Sequence, residues 1–159
     1  MTLSVFRHIR FFNDMYEAPL LDEAYYEIVS QGSPCENIFS LDLDRVILSP
    51  MSEWFENRLD PVYQETLLGT SHLLSFLKLS AELPDSWRTK QDDAKRTDDD
   101  PEPKPVLVNP IIHFPRALFQ RKQTKEWFIP YMGLGKSWYF GYRLIPTRFE
   151  PHDLVARLV

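Results

Sequence analysis

Apolar and polar positions along this chain change period near its middle. From Pro19 to Gln31, Leu20, Leu21, Ala24, Tyr25, Ile28 and Val29 recur at helical spacing. Asp22, Glu23, Glu27 and Gln31 fall mostly opposite, which predicts an amphipathic helix docked on a sheet. Gly32 and Pro34 supply its stop. From Asn37 to Ser49 the period is two: Phe39, Leu41 and Leu43 alternate with Ser40, Asp42 and Asp44, the pattern of a half-buried strand. Val46-Ile47-Leu48 continue that strand after a change of register near Arg45, of the kind a bulge makes. Ser49-Pro50 and Ser52-Glu53 then start a short helix through Trp54 and Phe55. Asp60-Pro61 repeats the start signal for a helix carrying Val62, Leu67, Leu68, Leu73, Leu74 and Leu77. Gly69 weakens its middle by about 1 kcal/mol relative to alanine and is a place for a kink.

Beyond residue 105 the residues are of strand type. Val106-Leu107-Val108, Ile111-Ile112-His113-Phe114, Trp127-Phe128-Ile129 and Ser137 to Leu144 are rich in branched and aromatic side chains. Pro110, Pro115, Pro130 and Pro146 are expected to bound these strands, and Met132-Gly133-Leu134-Gly135 to form a turn. The expected class is α+β, with helices mainly in the N-terminal half packed on a mostly antiparallel sheet from the C-terminal half.

Composition adds three constraints. At 159 residues, with 43% hydrophobic and 14% aromatic content, residues 1–159 are read as a single domain with enough material for a core. An acidic, proline-rich stretch at about 86–105 interrupts it. Its core, Gln91 to Pro105, holds six acids, three bases, three prolines and no large apolar residue, so it is expected to be a mobile surface loop. The net charge of −5 argues against a broad grip on nucleic acid, which needs clustered cations. Arg116, Arg121, Lys122, Lys125 and Lys136 still form a local basic run.

Cys35 is the sole cysteine, which excludes an internal disulfide, and its neighbour Glu36 disfavours a thiolate. No run of 18 apolar residues is present, so no membrane span is expected. Arg7 and Arg10 are not followed by the long apolar segment of a secretory signal.

Candidate chemistry is sparse. Gly135-Lys136-Ser137 resembles the end of a phosphate-binding loop, but the upstream glycine that pattern requires falls on Pro130, and a strand rather than a helix follows. Paired carboxylates are the candidates for acid–base work: Asp42 with Asp44 on one face of the expected strand, and Glu150 with Asp153 around Pro151. The four histidines His8, His72, His113 and His152 have no metal-ligand spacing, so neither a metal nor a cofactor is expected. Ser71 and Ser137 lack the context of an activated nucleophile. Strand alternation from Trp138 to Arg143 places Trp138, Phe140 and Tyr142 on one face and Tyr139, Gly141 and Arg143 on the other. If the second face is open, Tyr139 and Arg143, with Lys136 nearby, are binding candidates.

The order of landmarks from Phe114-Pro115 through Gly135-Lys136 and the aromatic strand to Arg148-Phe149-Glu150-Pro151, followed by Asp153-Leu154-Val155, resembles the C-terminal part of the RolB/RolC family. These are growth-modulating proteins that Agrobacterium T-DNA delivers into plant cells. The likeness is best over about Ile112 to Val155 and looser over Asn37 to Leu74. It implies a modulator of hormone response, growth and differentiation inside the host plant cell. Such a protein would act in the cytoplasm, with passive entry to the nucleus open to a chain of 18.8 kDa. The resemblance implies plant host proteins or a hormone-like small molecule as partners, with no membrane. Some family members carry a glucosidase label, so the alternative is a small glycosidase that releases auxin or cytokinin from glucoside conjugates. Arg148-Phe149-Glu150-Pro151 is carried over as a landmark of the family and not as an active site.

Overall fold

The computed structural model describes residues 2–4, 24–30, 40–88, 90–92, 106–145, 148–150 and 152–159. The strands are β1 (Thr2–Ser4), β2 (Tyr26–Ser30), β3 (Ser40–Asp42), β4 (Val46–Pro50), β5 (Lys90–Asp92), β6 (Val106–Val108), β7 (Ile111–His113), β8 (Leu118–Arg121), β9 (Trp127–Leu134), β10 (Trp138–Ile145) and β11 (Asp153–Leu158). The helices are α1 (Met51–Glu56), α2 (Pro61–Thr66) and α3 (Thr70–Lys78). Seven strands make one mixed, mostly antiparallel sheet, in the order β2-β8-β9-β7-β11-β4 with β10 on β9. β11 runs parallel to β7 and antiparallel to β4. β1 with β3 and β5 with β6 form two further antiparallel pairs. The α+β class expected from the sequence is the one observed.

β9 organises the sheet. One edge pairs along its whole length with β10; the other is shared end on end by β8, through Phe119 and Gln120, and β7, through Ile112 and His113. Pro130 stands where the partner changes. Its carbonyl accepts from Phe114 N–H at 2.9 Å, so this residue's backbone faces the junction between β7 and β8 and not the β10 ladder. A proline inside a central strand is tolerated because its missing N–H points at that interruption. The expectation that Pro130 bounds a strand, with a turn over Met132–Gly135, is thereby corrected: β9 continues to Leu134, and the turn is Gly135-Lys136-Ser137.

The two faces of the sheet are covered differently. Val46, Ile112, Met132, Phe140 and Ala156 point to one face and are buried beneath α3 and the loop that follows it. There Phe76 meets Trp87 at 5.1 Å and Phe114 at 5.8 Å between ring centroids. Ile129 and Val155 point to the other face, where α1 and α2 cover them with Met51, Trp54, Tyr63 and Leu67.

α1 buries Met51 and Trp54 and stops at Asn57, whose N–H and amide group both satisfy the terminal carbonyl of Glu53. α2 starts as its sequence dictates: Asp60 Oδ1 accepts from Val62 N–H at 3.0 Å and Pro61 sits in the first turn. Where a single kinked helix is expected, the chain breaks. Leu68 N–H donates to Ala156 O and Leu68 O accepts from Arg116 N–H, both at 3.3 Å, so this stretch leaves the helix to bond the sheet, and Gly69 becomes the N-cap of α3.

Three other expectations change. The helix over Pro19–Gln31 is not formed where the chain is described. Residues 26–30 are β2, antiparallel to β8, and Tyr25 and Val29, assigned to the buried stripe, are exposed. Tyr26 instead packs edge-on against Phe128; pairing with β8 has overridden local period. The register change near Arg45 is a 3-10 turn over Leu43–Arg45, and it separates β3 and β4 into different sheets. Finally, of the segment 86–105, Asp85–Trp87 forms a 3-10 turn that buries Trp87, and Lys90–Asp92 is β5; residues 89 and 93–105 lie outside the described residues, as do Cys35 and His8.

Candidate functional site

Where α1 and α2 end, the second sheet face continues uncovered by any described helix, and it carries an aromatic groove. Its floor comes from the β9–β10 hairpin. Register places Tyr131 opposite Gly141 and Tyr139 opposite Gly133, so each tyrosine lies across the glycine of the facing strand. A Cβ at Gly133 would sit 2.7 Å from Tyr139 Oη, and one at Gly141 would sit 2.9 Å from Tyr131 Oη, so only glycine lets both rings lie down. The rings stand at 90° with centroids 6.3 Å apart. Ile111, Tyr131, Tyr139, Tyr142, Arg143 and Leu144 line a cavity of about 430 Å³ at this place, within the usual range of ligand sites.

A polar cluster fixes the groove's cation. Arg143 Nη1 lies 2.8 Å from Asp153 Oδ2 and 3.2 Å from His113 Nε2, and Nη2 donates to Arg148 O at 2.7 Å. The guanidinium also sits 5.1 Å above the centre of the Phe149 ring. His113 Nδ1 lies 3.1 Å from Leu154 O, which requires the proton on Nδ1 and leaves Nε2 as acceptor for Arg143. Burial lowers His113 to about 4 against the opposing pull of Asp153, so the ring is neutral at pH 7 and matches that tautomer. Asp153 Oδ2 additionally accepts from Glu150 N–H at 2.6 Å, while Asp153 N–H donates to Glu150 O at 2.9 Å. Burial, then the neighbouring Tyr131, raises the Tyr139 phenol above 10, so at neutral pH its hydroxyl is an uncharged donor and acceptor.

The sequence candidates separate on this frame. Tyr139 and Arg143 share the open face with Tyr131, while Trp138 and Phe140 pack with the core beneath α3; Tyr142 packs against that core and, with Leu144, also lines the cavity at the edge of β10. Lys136 is exposed in the hairpin turn, closed by Gly135 N–H donating to Ser137 O at 3.0 Å. The turn joins two strands, so Gly135-Lys136-Ser137 has no helix terminus to offer a phosphate.

Asp42 and Asp44 do not share a strand face: Asp42 Oδ1 accepts from Asp44 N–H at the start of the 3-10 turn, and both are exposed. Glu150 and Asp153 are joined through backbone bonds; Asp153 is buried under Arg143 and Glu150 is exposed. Ser71 is buried in α3, and His72 caps that helix, its Nδ1 accepting from Gly69 N–H at 3.3 Å. Among the described residues, no three His, Cys, Asp or Glu side chains converge as metal ligands, and no helix is long and apolar enough to cross a membrane.

Four contributors escaped the sequence reading: Tyr131, Ile111, Leu144 and His113. One signal for the first was present. Tyr131-x-Gly133 and Tyr139-x-Gly141 are symmetric about Lys136, and a hairpin centred there must set each tyrosine on the other strand's glycine. Nothing local marks His113, because its partners come from β10 and β11. No protein-family model, no curated protein and no solved structure matches this chain.

Proposed function

We propose that this chain is a binding protein that engages its partner through the Tyr131–Tyr139 groove, and that it works as a RolB/RolC-like modulator of hormone response inside a host plant cell. The observation that carries the binding reading is the pairing of two tyrosines over two glycines beside an arginine already immobilised by Asp153. Tyrosine and arginine are the residue types that dominate binding hot spots, and a side chain ordered before the partner arrives loses less entropy on binding. The plant setting rests on the C-terminal landmarks alone.

Hydrolysis of a glucoside asks for two carboxylates flanking the scissile bond, one activating and one protonating. Among the described residues Asp153 is the acid that touches this site, and its carboxylate is spent on Arg143 and Glu150 N–H. Glu150 is exposed and is not among the residues lining the groove. Among the described residues no second carboxylate joins Asp153 at the groove to favour the glycosidase alternative.

The test uses purified protein with a chromogenic glucoside, and in parallel as bait in plant extract, beside Tyr139→Ala and Glu150→Gln. No turnover is expected from any form, with a retained host protein that Tyr139→Ala releases. Turnover lost in Glu150→Gln, or retention indifferent to Tyr139→Ala, refutes the binding reading.

A further inference from the structure

The local basic run in the sequence is divided by the fold. Arg116 Nη1 donates to Gln64 O of α2 at 2.6 Å, and Lys136 lies in the β9–β10 turn. Arg121, Lys122 and Lys125 stay together where β8 turns into β9, and all three are exposed. The backbone closes that turn: Lys125 N–H donates to Arg121 O at 2.8 Å, and Arg121 N–H to Glu126 O at 2.9 Å. Gln120 Nε2 adds a bond to Lys125 O at 3.2 Å. A bond from Lys122 N–H to Tyr25 O at 2.8 Å then ties the turn to the start of β2.

Another cavity of about 430 Å³ lies here, lined by Ala24, Tyr25, Arg121, Lys122 and Gln123. These side chains bring a guanidinium, an ammonium, a carboxamide and a phenol, all of them hydrogen-bond donors. No carboxylate is among the described lining residues. Among the described residues, neither Glu27 nor Glu126 comes within salt-bridge distance of Arg121 or Lys125. Such a lining suits concentrated negative charge with several acceptor oxygens. A carboxylate brings a single charge, which Arg121 alone can match. A phosphate monoester brings about −1.5 to −2 charge and further oxygens for the ammonium and carboxamide. The volume is that of a site for a small organic ligand. Tyr25 is 63% exposed although it lines the cavity, which leaves ring surface for a planar group joined to the phosphate.

Lys125 supplies an independent sign. Its φ of 62° is left-handed, a conformation that glycine adopts freely and a residue with a Cβ adopts at a cost. A cation is kept where glycine would relieve the turn, and backbone strain of this kind gathers at binding sites.

We infer that the cavity between the β8–β9 turn and the start of β2 binds a small phosphate monoester whose other end is a planar ring. The site is separate from the Tyr131–Tyr139 groove, so its loss would leave the groove's role untouched.

The 15N-labelled full chain is titrated at constant ionic strength with adenosine 5′-monophosphate, with adenosine and with inorganic phosphate. Saturable amide shifts are expected at Tyr25, Arg121, Lys122 and Gln123 for the monophosphate. Adenosine should bind at least about tenfold more weakly, because it leaves the cations unmatched. Inorganic phosphate should bind at least about fivefold more weakly, because it leaves the Tyr25 ring uncovered. Arg121→Gln should weaken the monophosphate about tenfold, and Tyr25→Ala about fivefold. Lys125→Gly should weaken it about threefold, while its urea midpoint stays at or above the native value because glycine relieves the left-handed turn. Equal affinity for adenosine and the monophosphate overturns the phosphate, and equal affinity for inorganic phosphate and the monophosphate overturns the ring. No saturable shift with the monophosphate, shifts confined to Tyr131, Tyr139 and Gly141, or affinity unchanged in Arg121→Gln overturns the site.

Discussion

The substitution His72→Asn turns the buried start of α3 into a probe of acid stability. His72 is 2% exposed, and burial alone lowers its imidazole from 6.5 to about 4. Its Nδ1 accepts from Gly69 N–H, so protonation both charges the core and removes an acceptor. Between pH 6.5 and about 4 the unfolded chain binds a proton that the folded chain refuses. Stability is therefore fully present above the upper value and lost as pH falls towards the lower, with a slope approaching 1.4 kcal/mol per pH unit. Integrated from pH 7 to pH 5, this histidine removes about 2 kcal/mol.

His113 is also lowered to about 4 and acts in the same window, so the native chain should lose about 4 kcal/mol there. In His72→Asn the new side chain offers an amide oxygen in place of Nδ1 and cannot titrate. The assay is urea denaturation followed by tryptophan fluorescence at half-unit steps from pH 7 to pH 5, above the range where most carboxylates protonate. The variant should lose only about half as much stability as the native chain, whatever its stability at pH 7. Parallel stability curves for the two proteins would refute the buried neutral imidazole and the cap that depends on it.

The remaining expectations concern the core and the groove. Phe76→Ala, at the contact between α3, Trp87 and Phe114, should cost about 3–5 kcal/mol in chemical denaturation; a loss below about 1 kcal/mol would mean that α3 does not pack as described. Asp153→Asn leaves the largely buried Arg143 without its counter-charge and should destabilise by about 3–5 kcal/mol, with shifted amides for Glu150 and His113; an unchanged midpoint would remove the anchor assigned to Arg143. Gly133→Ala meets the far end of the Tyr139 side chain, which can swing away. Stability should fall by about 1 kcal/mol or less, while the ring-current shifts of Tyr131 and Tyr139 change and groove binding is lost; unaltered ring shifts would show that the tyrosine does not lie over this glycine.

Much of the scaffold was legible because its signals are local. Asp60-Pro61 starts α2 by a bond to a residue two positions away, Trp54 and Phe55 lie on the short helix expected of them, and alternation along β10 puts Trp138 and Phe140 towards the core and Tyr139 and Arg143 towards the cavity, which Tyr142 reaches from the strand edge. The misreadings share a different cause. Residues 26–30 have an apolar spacing compatible with a helix, and β8 decides that they form a strand. Gly69 reads as a weak point in one helix, and hydrogen bonds to Ala156 and Arg116 make it a break between two. Pro130 reads as a boundary, and the change of partner from β8 to β7 makes room for it inside β9.

The sequence by itself determined the α+β class, the strand-rich stretch beyond residue 105, and that Tyr139 shares a face with Arg143, although β2 and β4 of the main sheet come from the N-terminal half. Each follows from residues within a few positions of one another, through steric preference or side-chain period. Only the tertiary structure decided which face stays open, that Tyr131 completes the groove, and that His113 and Asp153 fix Arg143 from β7 and β11. Those contacts span separate strands, and their strength comes from burial in a low-dielectric interior, a property that no local stretch of sequence possesses until the chain has closed around it.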